Sequence, residues 1–171
     1  MRNIKAIING HNKKVLNNQS QTTNIKCNCL QKNECPLNGL CQTKNVIYEA
    51  TVSSNDPFYK PQKYIGLSET TFKKRFANHK KSFKNNRYEN DTELSKEIWK
   101  IKKQNFVPII TWKIRKKSPG FNRSSMKCFL CLNEKLEIIS YEGDNLLNKR
   151  SELISKCIHL NKHTLSYAHY K

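Results

Sequence analysis

The feature that most constrains the fold of this chain is a hydrophobic rhythm that begins at Asn45 and then changes period. Val46, Tyr48, Ala50 and Val52 alternate with Ile47, Glu49 and Thr51, a period of two with β-branched enrichment that predicts a strand. Ser53 to Pro61 carries Asn, Asp and two prolines and reads as a turn, after which Lys63 to Leu67 resumes as a second strand. The period then lengthens. Phe72 and Phe76 repeat at i, i+4 in a helix that Ser68 can cap, with Glu69 in its first turn and its end at about Phe83. Leu94, Ile98 and Ile101 form the stripe of a second helix that opens at Asp91 or Thr92. Val107 to Ile114 reads as a third strand, and Phe129, Leu132, Leu136 and Ile139 as a third helix ending near Gly143. The order β-β-α-α-β-α predicts an α+β fold, a small three-stranded antiparallel sheet flanked by helices.

The flanks follow other rules. Residues 1–24 are rich in Asn, Lys and Gln, too poor in apolar surface to offset the entropy of ordering, and read as a tail. Residues 25–44 hold Cys27, Cys29, Cys35 and Cys41 with Pro36 and Gly39, a loop-rich knuckle that cannot bury a core without a staple. The main domain runs over 45–165, and 166–171 is a second tail. No apolar run approaches the roughly 18 residues of a spanning helix, and the beginning of the chain lacks the apolar centre of a signal peptide. The expectation is an intracellular protein with no membrane partner, where thiols stay reduced and the seven cysteines point to metal rather than disulfides. Cys27, Cys29, Cys35 and Cys41, spaced CxCx5Cx5C, suit a tetrahedral structural zinc site, with free buried thiols as the alternative. Cys128 and Cys131 form a CxxC pair that could take Cys157 and His159 or His163 into a second zinc site, tying the third helix to the segment after it.

Lys plus Arg is 32 against 13 for Asp plus Glu, a formal charge of +19 that a fold does not need and a polyanion would use. A lysine-rich surface also serves solubility, but an excess of this size points first to nucleic acid. The candidate contacts are Lys73, Lys74, Lys80, Lys81, Lys84, Lys96, Lys100, Lys102 and Lys103 in the first two helices. They offer charge and not code, and no base-reading helix is visible. No small-molecule substrate is expected.

Two tyrosines sit in adjacent strands, Tyr48 in Val46-Ile47-Tyr48 and Tyr64 in Tyr64-Ile65-Gly66, and Arg75 and His79 follow one helical turn apart. Taken singly, such tyrosines are packing residues and Arg75 is one more cation on a basic helix. Glu134 is more distinctive, since Leu130 and Ile138 at i−4 and i+4 place its carboxylate among apolar side chains, where an acid prefers a cation. Glu137 is its rival on the same helix. Together with Asn148, this arrangement resembles the GIY-YIG nuclease family in the form found in Penelope-like retroelements. The matching passages are TKNVIYEATV, KYIGLSETTFKKRFANHKKSF, TELSKEIWKIKKQN, KCFLCLNEKLEII and LLNKRSELISKC. Val46 stands where the family has its first glycine, and the loop between the tyrosine motifs is somewhat long.

The resemblance implies a DNA endonuclease. Tyr48 would help activate water as general base, Tyr64 would position water or phosphate, and Arg75 would place its guanidinium against phosphate oxygens. His79 would assist Tyr48, Glu134 would hold magnesium or manganese, and Asn148 would support the site by hydrogen bonds. Because a free tyrosine titrates near 10, Tyr48 needs positive charge nearby, for which Arg75, His79 and the ion are the candidates. The resemblance further implies a nuclear setting, in which the nick supplies a 3′ hydroxyl to the reverse transcriptase of the same element. No polymerase stands in this sequence, so a fragment or a decayed copy is implied. The rival from another class is a noncatalytic zinc-bearing nucleic-acid-binding module that keeps the fold and the charge.

Overall fold

The computed structural model describes residues 27–149 together with His159. Both tails, Cys157 and His163 lie outside the described residues. Strand β1 (Val46–Ser54) is the centre of a three-stranded antiparallel sheet in the order β2-β1-β3, with β2 at Gln62–Ser68 and β3 at Pro108–Lys117. Helices α1 (Phe72–Lys84) and α2 (Glu93–Lys103) belong to one face of the sheet. Helix α3 (Phe129–Ile139) belongs to the other, entered through a short hairpin of β4 (Phe121–Asn122) and β5 (Lys127–Cys128). The α+β class, the three antiparallel strands and the three main helices agree with the sequence reading.

The two faces follow from the period of two in β1. Val46, Tyr48, Ala50 and Val52 pack with Phe72, Leu94, Ile98 and Ile101, and full burial of each large apolar side chain contributes about 1.5–3 kcal/mol. Ile47 points the other way, into a second cluster with Ile65, Leu130 and Ile138. Burial on both faces leaves Glu49 only 1% exposed. Its carboxylate accepts from Arg115 Nη1 at 2.6 Å, with Lys113 Nζ at 2.9 Å and Lys63 Nζ at 3.7 Å from Oε1.

Three local expectations are corrected by the structure. Ser68 does not cap α1: it ends β2, its hydroxyl donates to the Thr70 carbonyl, and the helix starts at Phe72 after Thr71. The third helix stops at Ile139 rather than near Gly143. Its stripe is also turned. Phe129, Leu136 and Ile139 stay largely exposed while Leu130, Cys131 and Ile138 face the sheet. Apolar residues surround most of this helix, so its period alone does not say which side docks. At α2 the Thr92 alternative holds, with Thr92 Oγ1 accepting from Ser95 N at 3.0 Å.

The outer edge of β2 is covered by the chain after α3. Lys63 N donates to Asn145 O at 2.7 Å and Leu147 N to Lys63 O at 2.8 Å, a short parallel pairing that leads directly into Asn148.

Candidate active site

The hairpin β1–β2 brings the tyrosines together. Tyr48 lies opposite Gly66 and Tyr64 opposite Ala50, so the two rings are diagonal neighbours on the face that α1 covers, with centroids 6.5 Å apart. Gly66 makes room for this. A Cβ there would stand 2.5 Å from the Tyr48 hydroxyl oxygen, so only glycine lets that phenol cross β2. Tyr48 is otherwise boxed in by Phe72 and Trp112, with ring centroids at 5.1 and 5.8 Å.

Helix α1 presents Arg75 and His79 to the same hydroxyl. Arg75 Nε donates to Tyr48 Oη at 3.0 Å, and Tyr48 Oη lies 2.7 Å from His79 Nε2. His79 is buried against Phe83 and Trp112, and burial, reinforced by the Arg75 charge, pushes it down to about 3. It is therefore a neutral imidazole. With Tyr48 protonated, its O–H donates to Nε2; with Tyr48 ionised, the other tautomer lets Nε2–H and Arg75 Nε–H both donate to the phenolate. His79 thus supplies a hydrogen bond and not the positive charge that the sequence reading allowed it. Burial, with Tyr64 beside it, holds Tyr48 far above the usual phenol range, and Arg75 offsets this only in part. Tyr64 is likewise raised by burial, opposed by Arg75.

Glu134 enters from the other side, on α3. Leu130 and Ile138 flank it as the sequence spacing anticipates. Its half-buried carboxyl is pushed up to about 7 by burial, against the opposing pull of Arg75, Lys135 and the Leu67 backbone. Its rival Glu137 is engaged elsewhere, accepting from Arg115 Nε at 2.8 Å. Asn148 holds β2 rather than the Tyr48 hydroxyl: Ile65 N donates to its Oδ1 at 2.7 Å and its Nδ2 donates to Ile65 O at 2.8 Å. This clamps the strand between Tyr64 and Gly66.

In the knuckle, Cys27, Cys29, Cys35 and Cys41 converge, with their sulfurs all within 4.8 Å of one another. Cys41 Sγ is 3.6 Å from both Cys27 Sγ and Cys29 Sγ, close to the roughly 3.8 Å that zinc–sulfur bonds of about 2.3 Å give in a tetrahedron. Although burial works the other way, the backbone groups of Leu37 and Gly39 bring Cys35 down to about 7, with Gly39 N donating to its sulfur at 3.1 Å. The donor set fits a structural thiolate-bound ion such as zinc. Cys128 and Cys131 sulfurs lie 3.4 Å apart, and His159 stacks on Phe121, the register partner of Cys128, at 4.6 Å. Its Nε2 is 3.4 Å from Glu69 Oε2.

Most of the candidate DNA-contact lysines already have local company. Lys73 donates to Asn28, Lys80 and Lys81 lie over Phe76 and Tyr88, and Lys96, Lys100 and Lys103 pair with Glu93, Glu97 and Glu89. Lys102 donates to the Phe83 carbonyl and lies over Trp99. Lys74 and Lys84 are exposed on α1. Among the described residues no helix is long and apolar enough to cross a membrane. Comparison with protein-family models, curated protein sequences and solved structures found no match.

Sequence motifs give no role to Gly66, which makes room for Tyr48, or to Glu49, which is buried on the opposite face of the sheet. Glu49 had a signal, because Ile47 and Val46 are apolar in both phases of β1, which marks a strand covered on both sides.

Proposed function

We propose that this chain is a metal-dependent endonuclease of the GIY-YIG type that nicks DNA by phosphodiester hydrolysis. The observation that carries the reading is the convergence on one hydroxyl: Tyr48 Oη meets Arg75 Nε and His79 Nε2 at hydrogen-bond distance. A structural role explains a buried tyrosine with one partner; it does not call for both a guanidinium and a neutral imidazole on the same hydroxyl.

Glu134 would hold magnesium or manganese, which supplies Lewis-acid polarisation of the phosphate and of the leaving 3′ oxygen. Tyr48 first gives up its own proton to bulk water; the phenolate, stabilised by Arg75 Nε–H and His79 Nε2–H, then accepts the proton of the attacking water. The other guanidinium N–H groups of Arg75 would stabilise the charge that builds on the phosphate. Tyr64, beside Arg75, orients water or phosphate, and Asn148 fixes the strand that carries Tyr64 and Gly66. In a retroelement, the 3′ hydroxyl of the nick would prime reverse transcription in the nucleus.

The raised titration of Tyr48 favours a second reading, a noncatalytic nucleic-acid-binding module that keeps the site as a relic. Nicking of supercoiled plasmid with magnesium or manganese, with salt-dependent binding measured alongside, separates the two. Loss of nicking in Glu134→Ala and Arg75→Ala with binding retained supports the nuclease; wild-type binding without nicking in either metal refutes it.

A further inference from the structure

Helix α1 carries Arg75 and His79, yet it starts without the usual device for satisfying its first N–H groups. Thr71 at the N-cap makes no side-chain capping bond, and the first turn holds no acidic residue. The partners come from the knuckle instead. Phe72 N donates to the Thr43 carbonyl at 2.9 Å, and Lys73 N donates to the Cys41 carbonyl at 2.7 Å. Lys73 Nζ reaches back to the Asn28 carbonyl at 3.1 Å and to its Oδ1 at 2.8 Å. Asn28 stands between Cys27 and Cys29, so both ends of the thiol cluster are fastened to the first turn of the helix.

Cys41 is the joint. Its sulfur belongs to the four-thiol cluster while its carbonyl caps the helix, and it is fully buried. Leu37, between Cys35 and Cys41, is packed in the same core as Tyr48 and Phe72. Cys35 to Thr43 contains only turns, so without an ion at the sulfurs it has Leu37 and a few backbone and side-chain hydrogen bonds to hold its shape. The first turn of α1 lies less than one further turn from Arg75.

We propose that a metal ion bound by Cys27, Cys29, Cys35 and Cys41 acts as the N-terminal clamp of α1: it fixes the Cys41–Thr43 carbonyls against the Phe72 and Lys73 amides and thereby seats Arg75 and His79 on Tyr48. The knuckle is then a positioning element for the catalytic helix. Loss of the ion, or oxidation of the thiols that hold it, disorders the first turn of α1 before it disturbs the sheet. The inference rests on the metal reading of the knuckle; only its activity arm rests on the nuclease reading.

The test uses the full chain loaded with zinc, compared with the same protein stripped by a zinc-selective chelator in reductant with magnesium kept in excess. Residue-resolved hydrogen exchange is the primary measurement. Exchange of the Phe72 and Lys73 amides is expected to rise at least tenfold on stripping, with β1 amides unchanged and the effect reversed by added zinc. Thr71→Asp, which gives α1 a side-chain cap of its own, is expected to restore slow exchange at Lys73 in the stripped protein and to recover nicking that stripping had lowered. Unchanged Phe72 and Lys73 exchange overturns the proposal, as does equal acceleration across β1 or failure of Thr71→Asp to restore protection. Because exchange is read without any substrate, a chain that never nicks DNA still reports whether the ion clamps the helix.

Discussion

Gly66 lies opposite Tyr48 in the antiparallel ladder, and the space a Cβ would occupy at Gly66 is already taken by the Tyr48 hydroxyl, 2.5 Å away. The constraint is steric, and it couples a backbone position on β2 to the buried hydroxyl of Tyr48 on β1. Gly66→Ala is expected to force Tyr48 off Arg75 and His79, lowering stability by about 1–3 kcal/mol, the usual range for overpacking a filled core. Nicking should fall far more than stability does. Urea denaturation and plasmid nicking on the same preparation check both, and an alanine variant with wild-type nicking would show that Tyr48 can work from elsewhere.

Glu134 gives a pH dependence with a definite sign. Its folded-state value of about 7 lies above the ordinary 4.5, so without a cation the folded protein keeps a proton that the unfolded chain has lost between those limits. Stability from this group therefore falls as pH rises from about 4.5 to about 7. Removing the ionisable group removes that loss, so Glu134→Gln is expected to melt higher than wild type above pH 7 in the absence of divalent ions. A cation must displace the same proton, and manganese affinity, read by water-proton relaxation, should weaken up to tenfold per pH unit below 7 and level off above it. Affinity that is flat from pH 5.5 to 8.5 would remove Glu134 as the ligand.

His79 acts in the opposite direction. Its value, held at about 3 against an ordinary 6.5, means that the unfolded chain takes up a proton that the folded site refuses. Stability is therefore complete above pH 6.5 and is lost as pH falls toward 3, by up to about 1.4 kcal/mol for each pH unit across that window. His79→Gln, which keeps a hydrogen-bonding group near Tyr48, should lose less stability between pH 6.5 and pH 4 than wild type, while nicking at neutral pH falls with the partner of Tyr48. Equal acid sensitivity in the two proteins would mean that His79 is protonated in the folded state.

How much of this was legible beforehand depends on the kind of signal. The three strands and the two helices of the main core were readable because alternation in Val46–Val52 and the stripe Leu94, Ile98, Ile101 are local patterns, whereas Tyr48, Tyr64, Arg75 and His79 stood out through the family resemblance and not through periodicity. The start of α1 was not, since Ser68 is as good a cap by type as Thr71, and the choice was made by carbonyls from Cys41 and Thr43. The face of α3 was hidden because apolar residues surround the helix; Glu134 marked the docked side better than the leucines did. The neutrality of His79 needed its burial, which no spacing reveals.

On the face of the sheet opposite Tyr48, Glu49 is enclosed and, although burial works against its charge, Lys113 and Arg115 hold its carboxyl below the ordinary range. Removing it in Glu49→Ala leaves Arg115, Lys113 and Lys63 gathered without their shared counter-charge, although Arg115 keeps Glu137. Breaking a fully buried pair costs about 3–5 kcal/mol, but Lys113 is 61% exposed and water screens part of the repulsion, so a loss of about 1–3 kcal/mol is expected. Added salt should narrow the difference from wild type. Nicking should persist at temperatures where the variant is folded, because Glu49 points away from the Tyr48 face. A variant that is as stable as wild type would show that the cluster repays only its own desolvation, and one that is stable but inactive would place Glu49 in the site.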